Sequence, residues 1–143
     1  MRAVVIRAPG GPEQLDLARV PAPELVPDSV EIEVKACALN RADLLQRRGA
    51  YPPPRGASEI LGLECAGVVR ALGPGVSGLE LGSRVMALLA GGGYAERAVV
   101  PARLVLPLPR GLSFEQGAAI PEAFLTASEA LFTLGALRRD EVV

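Results

Sequence analysis

The side chains with chemical potential in this chain are few: Tyr51 and Tyr94, Cys37 and Cys65, Asn40, and scattered Ser, Thr and carboxylates. Histidine is absent from all 143 residues. That removes every histidine-based triad and every histidine general base. Zinc is bound by Cys, His and acidic oxygens, and catalytic zinc usually keeps three protein ligands. Two cysteines with no CxxC pairing leave almost no route to such a site, so no metal is expected. Any chemistry must use hydroxyl, amide or carboxylate groups, or be carried by a cofactor. Tyr51 sits in Tyr51-Pro52-Pro53-Pro54, a segment that must be a loop. A phenol there could donate to an oxygen that gains negative charge, or it could simply anchor the loop against its prolines.

The elements that would position these groups can be read from pattern. Val30 to Ala36 alternates with period two, which predicts a strand with Val30, Ile32 and Val34 inward and Glu31, Glu33 and Lys35 in water. Strands are also expected around Val4 and Ile6, Leu15 and Leu17, Cys65 to Leu72, Arg84 to Leu89, Tyr94 to Val100, and Leu104 to Leu106. Gly10-Gly11-Pro12, Gly73-Pro74-Gly75 and Gly91-Gly92-Gly93 are turn signals. Asn40 to Arg48 reads as a short helix with Asn40 as N-cap, Asp43 in the capping-box position and Gly49 as its stop. Arg41, Arg47 and Arg48 are expected on its solvated face. Ser113 and Gln116 form a second capping box, opening a helix that stops near Pro121. Glu122 to Leu134 is predicted as a further helix, with Phe124, Leu125, Ser128, Leu131 and Phe132 on one stripe. Many short strands with Gly/Pro turns and peripheral helices make the fold mostly β, a barrel or sandwich.

Composition narrows the class. Half the residues are hydrophobic and only 3% aromatic, so a core of Val, Leu, Ile and Ala is expected. A net charge of -1 argues against a nucleic-acid partner. No run approaches a membrane span, and the N-terminus reads as a strand rather than a signal peptide. Cys37 and Cys65 are too few for a disulfide scaffold and both have apolar neighbours, so buried free thiols and a cytoplasmic location are expected. Gly62 to Gly67 has the wrong spacing for a dinucleotide fingerprint and leads into a strand, not a helix.

Several blocks together carry a family resemblance. They are Ala38 to Gly49 with Tyr51-Pro52-Pro53, Ile60-Leu61-Gly62-Leu63-Glu64, Met86 to Leu89 with Gly91-Gly92-Gly93, and Ala118 to Ala123 with Leu125-Thr126-Ala127. In this order they resemble the zinc-free quinone oxidoreductase branch of the medium-chain dehydrogenase/reductase superfamily. The resemblance implies a GroES-like, partly open β-barrel as substrate domain over 1–121. It implies that 122–143 is a linking helix and the first strand, from Val142 and Val143, of a Rossmann domain lying beyond the chain. The implied activity is hydride transfer from NADPH to a quinone or other small hydride acceptor, in a full-length homodimer, with this chain inactive alone. Zinc-dependent relatives carry Cys where this chain has Asn40 and His where it has Leu63. By the same resemblance Asn40 and Tyr51 would face the nicotinamide and substrate, and Thr126 would contact the nicotinamide end. Read as residues, Asn40 can be a plain N-cap and Thr126 a plain helical residue. Asp43 and Glu64 are expected to be structural, with Glu64 anchoring a loop or an arginine, and Tyr94 is expected as strand packing. An enone reductase of the same superfamily and a freestanding binding or assembly barrel remain alternatives.

Overall fold

The computed structural model describes residues 1–142. Its centre is a five-stranded antiparallel sheet in the order β6-β3-β4-β5-β7. These strands are β3 (Ser29–Cys37), β4 (Glu64–Leu72), β5 (Arg84–Leu88), β6 (Arg97–Pro101) and β7 (Val105–Pro107). A hairpin of β1 (Arg2–Ile6) and β2 (Leu15–Arg19) stands beside it. Ala3 bridges to Ala95, and the Val4 N–H donates to the Tyr94 carbonyl at 2.9 Å, which ties the hairpin to the residues entering β6. The result is mostly β, as the strand and turn pattern predicts, and it is the partly open barrel that the family resemblance implies.

Burial explains the strand sequences. Val30, Ile32, Cys65, Val69, Val85, Ala87, Ala98 and Val100 form the main core. The other face of β4 and β5 is also covered: Ala66 and Met86 meet Leu108 and Ala118, under helix α2 (Phe114–Ala118). A strand covered on both faces needs apolar residues at successive positions, which is why β4 reads as a run rather than an alternation. The core is aliphatic, as the composition requires.

Some expectations need correction. Glu31 is buried, not in water. Its carboxylate accepts from Arg70 at 2.6 Å and lies 3.7 Å from Arg97. β3 is flanked by β4 and β6, so the arginines of both neighbours reach Glu31, and pattern along one strand cannot register that. Arg47 is likewise buried. It donates to the Gly10 carbonyl at 3.1 Å, while the Gly10 N–H returns a bond to the Arg47 carbonyl at 3.0 Å. Arg41 and Arg48 are exposed as expected. Cys37 is exposed, because it ends β3, and only Cys65 is buried.

The C-terminal helix also departs from expectation. α3 starts one residue early, with Pro121 in its first turn, and runs to Ser128. Glu129–Leu134 then continues in the wider π-helical winding, capped at Gly135. Among the described residues its apolar stripe is largely uncovered: Phe124 is 67% and Phe132 61% exposed. The polar turn after it forms, closed by Glu141 N–H to the Arg138 carbonyl. Val142 is outside any strand, and Val143 lies outside the described residues.

Candidate functional site

Three loops converge at the N-terminus of helix α1 (Arg41–Arg47). The first is the short connection from β3 that ends in Asn40, the N-cap. The second is 58–63, the approach to β4. The third is the triple glycine before β6. The glycine turn lies against the second loop through its backbone. Gly92 N–H donates to Ile60, Gly93 N–H to Gly62 and Tyr94 N–H to Leu61, at 2.7, 3.0 and 2.8 Å. Glycine is required there: a Cβ on Gly91 would lie 2.4 Å from the Ser58 carbonyl oxygen, at a φ of +144°. Consecutive N–H groups can form an anion-binding nest, but these already have protein acceptors. The turn is therefore a brace, and it holds Tyr94 over α1.

Two buried carboxylates organise the convergence. Asp43 is 3% and Glu64 2% exposed. Asp43 accepts three hydrogen bonds: from Asn40 N–H at 2.7 Å, Gly62 N–H at 3.2 Å and the Tyr94 hydroxyl at 2.9 Å. Glu64 accepts from the Asn40 side-chain amide and from Glu122 N–H, both at 2.9 Å. Asn40 thus stands between the two carboxylates, and Glu64 pins the first turn of α3 to the barrel. Anionic acceptors suit these positions, since the N–H groups of both helix starts lack intrahelical partners.

The sequence-based candidates are placed unevenly. Asn40 is half-buried at the centre of the network. Thr126 is exposed on α3, one turn beyond the Glu122 that Glu64 holds. Tyr51 is 42% exposed and lies past the opposite end of α1. It lines a separate groove of about 470 Å³ with Pro52, Pro53, Ile6, Pro9 and Ile60. No hydrogen bond among the described residues joins Tyr51 to Asn40 or Thr126. Leu63 is buried and apolar. Among the described residues no three Cys, Asp or Glu side chains converge to hold a metal ion.

Sequence reasoning missed Tyr94. Its hydroxyl belongs to the Asp43 cluster and is not mere strand packing. The available signal was a tyrosine directly after three glycines, since a buried phenol needs a partner. Glu64 does anchor, as expected, but it holds an amide and a helix start rather than an arginine.

The network perturbs its neighbours. Burial first, then the hydrogen bond to Asp43 and the surrounding negative charges, raise the Tyr94 hydroxyl well above its ordinary 10.0. Burial, then the charges of Glu64 and Asp43, raise Glu122. Burial, with Cys37 and Glu64 nearby, pushes the Cys65 thiol from 9.0 up to about 12. In the unfolded chain Cys65 and Tyr94 would lose their protons near ordinary values, while the folded chain keeps them. Above about pH 9 the folded state therefore binds more protons, and stability falls as pH rises. Below that pH both contributions are fully present. Urea midpoints measured from about pH 8 to about pH 11 should decline, and Tyr94→Phe should flatten the part above about pH 10. Parallel declines in the two proteins would show that Tyr94 is not held protonated.

Comparison with known proteins agrees with this architecture. The mouse synaptic vesicle membrane protein VAT-1 homolog-like is 41% identical over 138 residues, covering 96% of this chain and 33% of the relative. The trans-enoyl reductase tazE of Aspergillus terreus is 39% identical, covering 93% of this chain and 47% of the relative. The Escherichia coli quinone oxidoreductase complexed with NADPH superposes with a TM-score of 0.82 at 32% identity, covering 92% of this chain and 40% of that structure. The chain thus spans between a third and a half of the length of these proteins. Residues 26–110 match the alcohol dehydrogenase GroES-like domain, a span that holds β3 to β7, α1 and both buried carboxylates, and the chain belongs to that family within the medium-chain dehydrogenase/reductase superfamily.

Proposed function

We propose that this chain is the substrate-side barrel of an NADPH-dependent quinone oxidoreductase that works without zinc. Its active cleft would be completed by a nucleotide-binding domain. The observation that carries the reading is the Asn40–Glu64–Glu122 connection. A side-chain amide, fixed by a buried carboxylate, stands where zinc relatives hold a thiolate ligand, and apolar Leu63 stands where they hold His. Glu64 takes one hydrogen of an amide that has two, so Asn40 is presented to the cleft in one orientation.

The polar groups on offer are uncharged: the Asn40 amide, the Thr126 hydroxyl and the Tyr51 phenol. Such groups suit the carboxamide and ribose of a nicotinamide, while the phosphates would need a turn that this chain does not supply. NADPH would supply the hydride. A quinone accepts hydride without Lewis-acid help and becomes an anion on oxygen. Tyr51 lines a separate groove apolar enough to hold a ring, and it would donate a hydrogen bond to that oxygen once the nucleotide-binding domain brought the nicotinamide against that groove. Cytoplasmic location and a full-length homodimer complete the reading, supported by two free cysteines and by the family resemblance.

The test is NADPH oxidation by the full gene product, with quinones and with enoyl acceptors, with and without a zinc chelator. Preferred turnover of quinones, unchanged by chelation, is expected. Tyr51→Phe should lower kcat on quinones by roughly 100-fold, as for other single oxyanion donors. Residues 1–143 alone should neither bind nor oxidise NADPH. Loss of activity with the chelator would overturn the zinc-free assignment. The name of the 39% identical Aspergillus relative favours a second reading, reduction of an activated alkene. Preferred turnover of enoyl acceptors would establish that reading instead.

A further inference from the structure

Cys37 and Cys65 face each other across β3 and β4 as direct partners in the antiparallel register. Directly opposed residues project on the same face of a sheet, with Cα atoms about 4.5–5.5 Å apart. That separation falls inside the range of about 4.4–6.8 Å spanned by disulfides. One thiol is reachable from solvent and the other is enclosed: Cys37 is exposed on the wall of an open, largely apolar cleft with Leu39 and Tyr94, and Cys65 is buried in the core. Both are free thiols in this structure.

We infer that this pair is a redox-sensitive clamp, which peroxide closes into a Cys37–Cys65 disulfide. Its position gives the bond a consequence. Cys37 lies three residues before Asn40, and Cys65 directly follows Glu64. The disulfide would join the two strand ends from which the partners of the Asn40–Glu64 hydrogen bond emerge. The chemistry balances with hydrogen peroxide as oxidant. Exposed Cys37 attacks as its thiolate; its sulfur bonds to one peroxide oxygen, the O–O bond breaks and hydroxide leaves, taking up a proton to form water. The Cys37 sulfenic acid is then attacked by the Cys65 sulfur. The S–O bond breaks, the Cys65 proton leaves with the hydroxyl as a second water, and two thiols have been oxidised by one peroxide. Partial burial against the cleft wall, then the charges of Asp43 and Glu64, raise the Cys37 thiol, so closure should be slow near neutral pH and faster in mild alkali.

The test is to treat the purified, folded protein with hydrogen peroxide in mildly alkaline buffer, block remaining thiols, and digest with trypsin. The expected product is the peptide 36–41 joined to the peptide 56–70, two hydrogens lighter than the pair and separated by dithiothreitol. The melting temperature of the oxidised protein should rise by about 5 °C or more and return on reduction. Cys37→Ser, a change at an exposed position, should abolish both the linked peptide and the rise. Over-oxidation of Cys37 beside an unmodified Cys65, linkage only between molecules, or no reaction would overturn the proposal. A linked peptide with unchanged melting would overturn the clamp. None of these outcomes depends on the quinone reading, since the assay uses neither NADPH nor an acceptor.

Discussion

Asp43→Ala should lower the unfolding free energy by about 3–5 kcal/mol. The carboxylate collects three donors from three separate stretches of chain: Asn40 N–H, Gly62 N–H and the Tyr94 hydroxyl. The site is buried, so water cannot readily replace the acceptor. Each orphaned donor then carries its own desolvation cost. Asp43→Asn should cost less, but still about 2 kcal/mol, because its NH2 must face either Gly62 N–H or Asn40 N–H, donor against donor. Urea unfolding of the three proteins measures this directly. The loss is a large part of the roughly 5–15 kcal/mol that holds a domain folded. A change under about 1 kcal/mol in the alanine variant would mean that the cluster re-forms around water and that Asp43 is not its keystone.

The second large effect belongs to Gly67. A Cβ there would sit 2.1 Å from the Glu33 carbonyl oxygen and 2.9 Å from both the Glu33 carbonyl carbon and Ile32 Cγ2. The first obstacle is backbone, so no rotamer change relieves it. β3 and β4 would have to separate beside the irregularity between Val34 and Ala36 in their pairing. Gly67→Ala should therefore cost about 3 kcal/mol, the upper range for overpacking. Gly56→Ala is the informative control. Its Cβ would meet nothing within 4 Å, and only its φ of +83° opposes the change, at roughly 1–2 kcal/mol. If the two variants melt together, crowding between β3 and β4 is not what excludes a side chain at position 67.

Both predictions concern residues whose role is to bring distant segments together, and that is where sequence reading loses information. Asn40 as N-cap and Asp43 as its capping-box partner were legible, because both sit within four residues and the donor geometry at a helix start is fixed. The alternation of Val30 and Ile32 was legible for the same reason. It failed at Glu31, whose environment is set by Arg70 and Arg97 on two other strands. It failed at Arg47, covered by the turn at Gly10, and at Cys37, whose exposure depends on where β3 ends.

The sequence by itself determined the class of the fold, the aliphatic core, the helix caps and the scarcity of metal-ligating side chains. These follow from composition and from backbone rules that act over a few residues. It also carried, as ordered motif blocks, the family to which the chain belongs. Only the tertiary structure decided what Asp43, Glu64 and Tyr94 bond to, that Asn40 rests on Glu64 while Tyr51 lines a separate groove, and that Cys37 faces Cys65. Apart from the local Asn40–Asp43 cap and the Tyr51 groove, each of these is a pairing across 19 or more residues of chain. Sequence can supply a buried polar group that must find a partner. Which partner it finds is settled by strand register and loop packing, where the energies of many small contacts decide together.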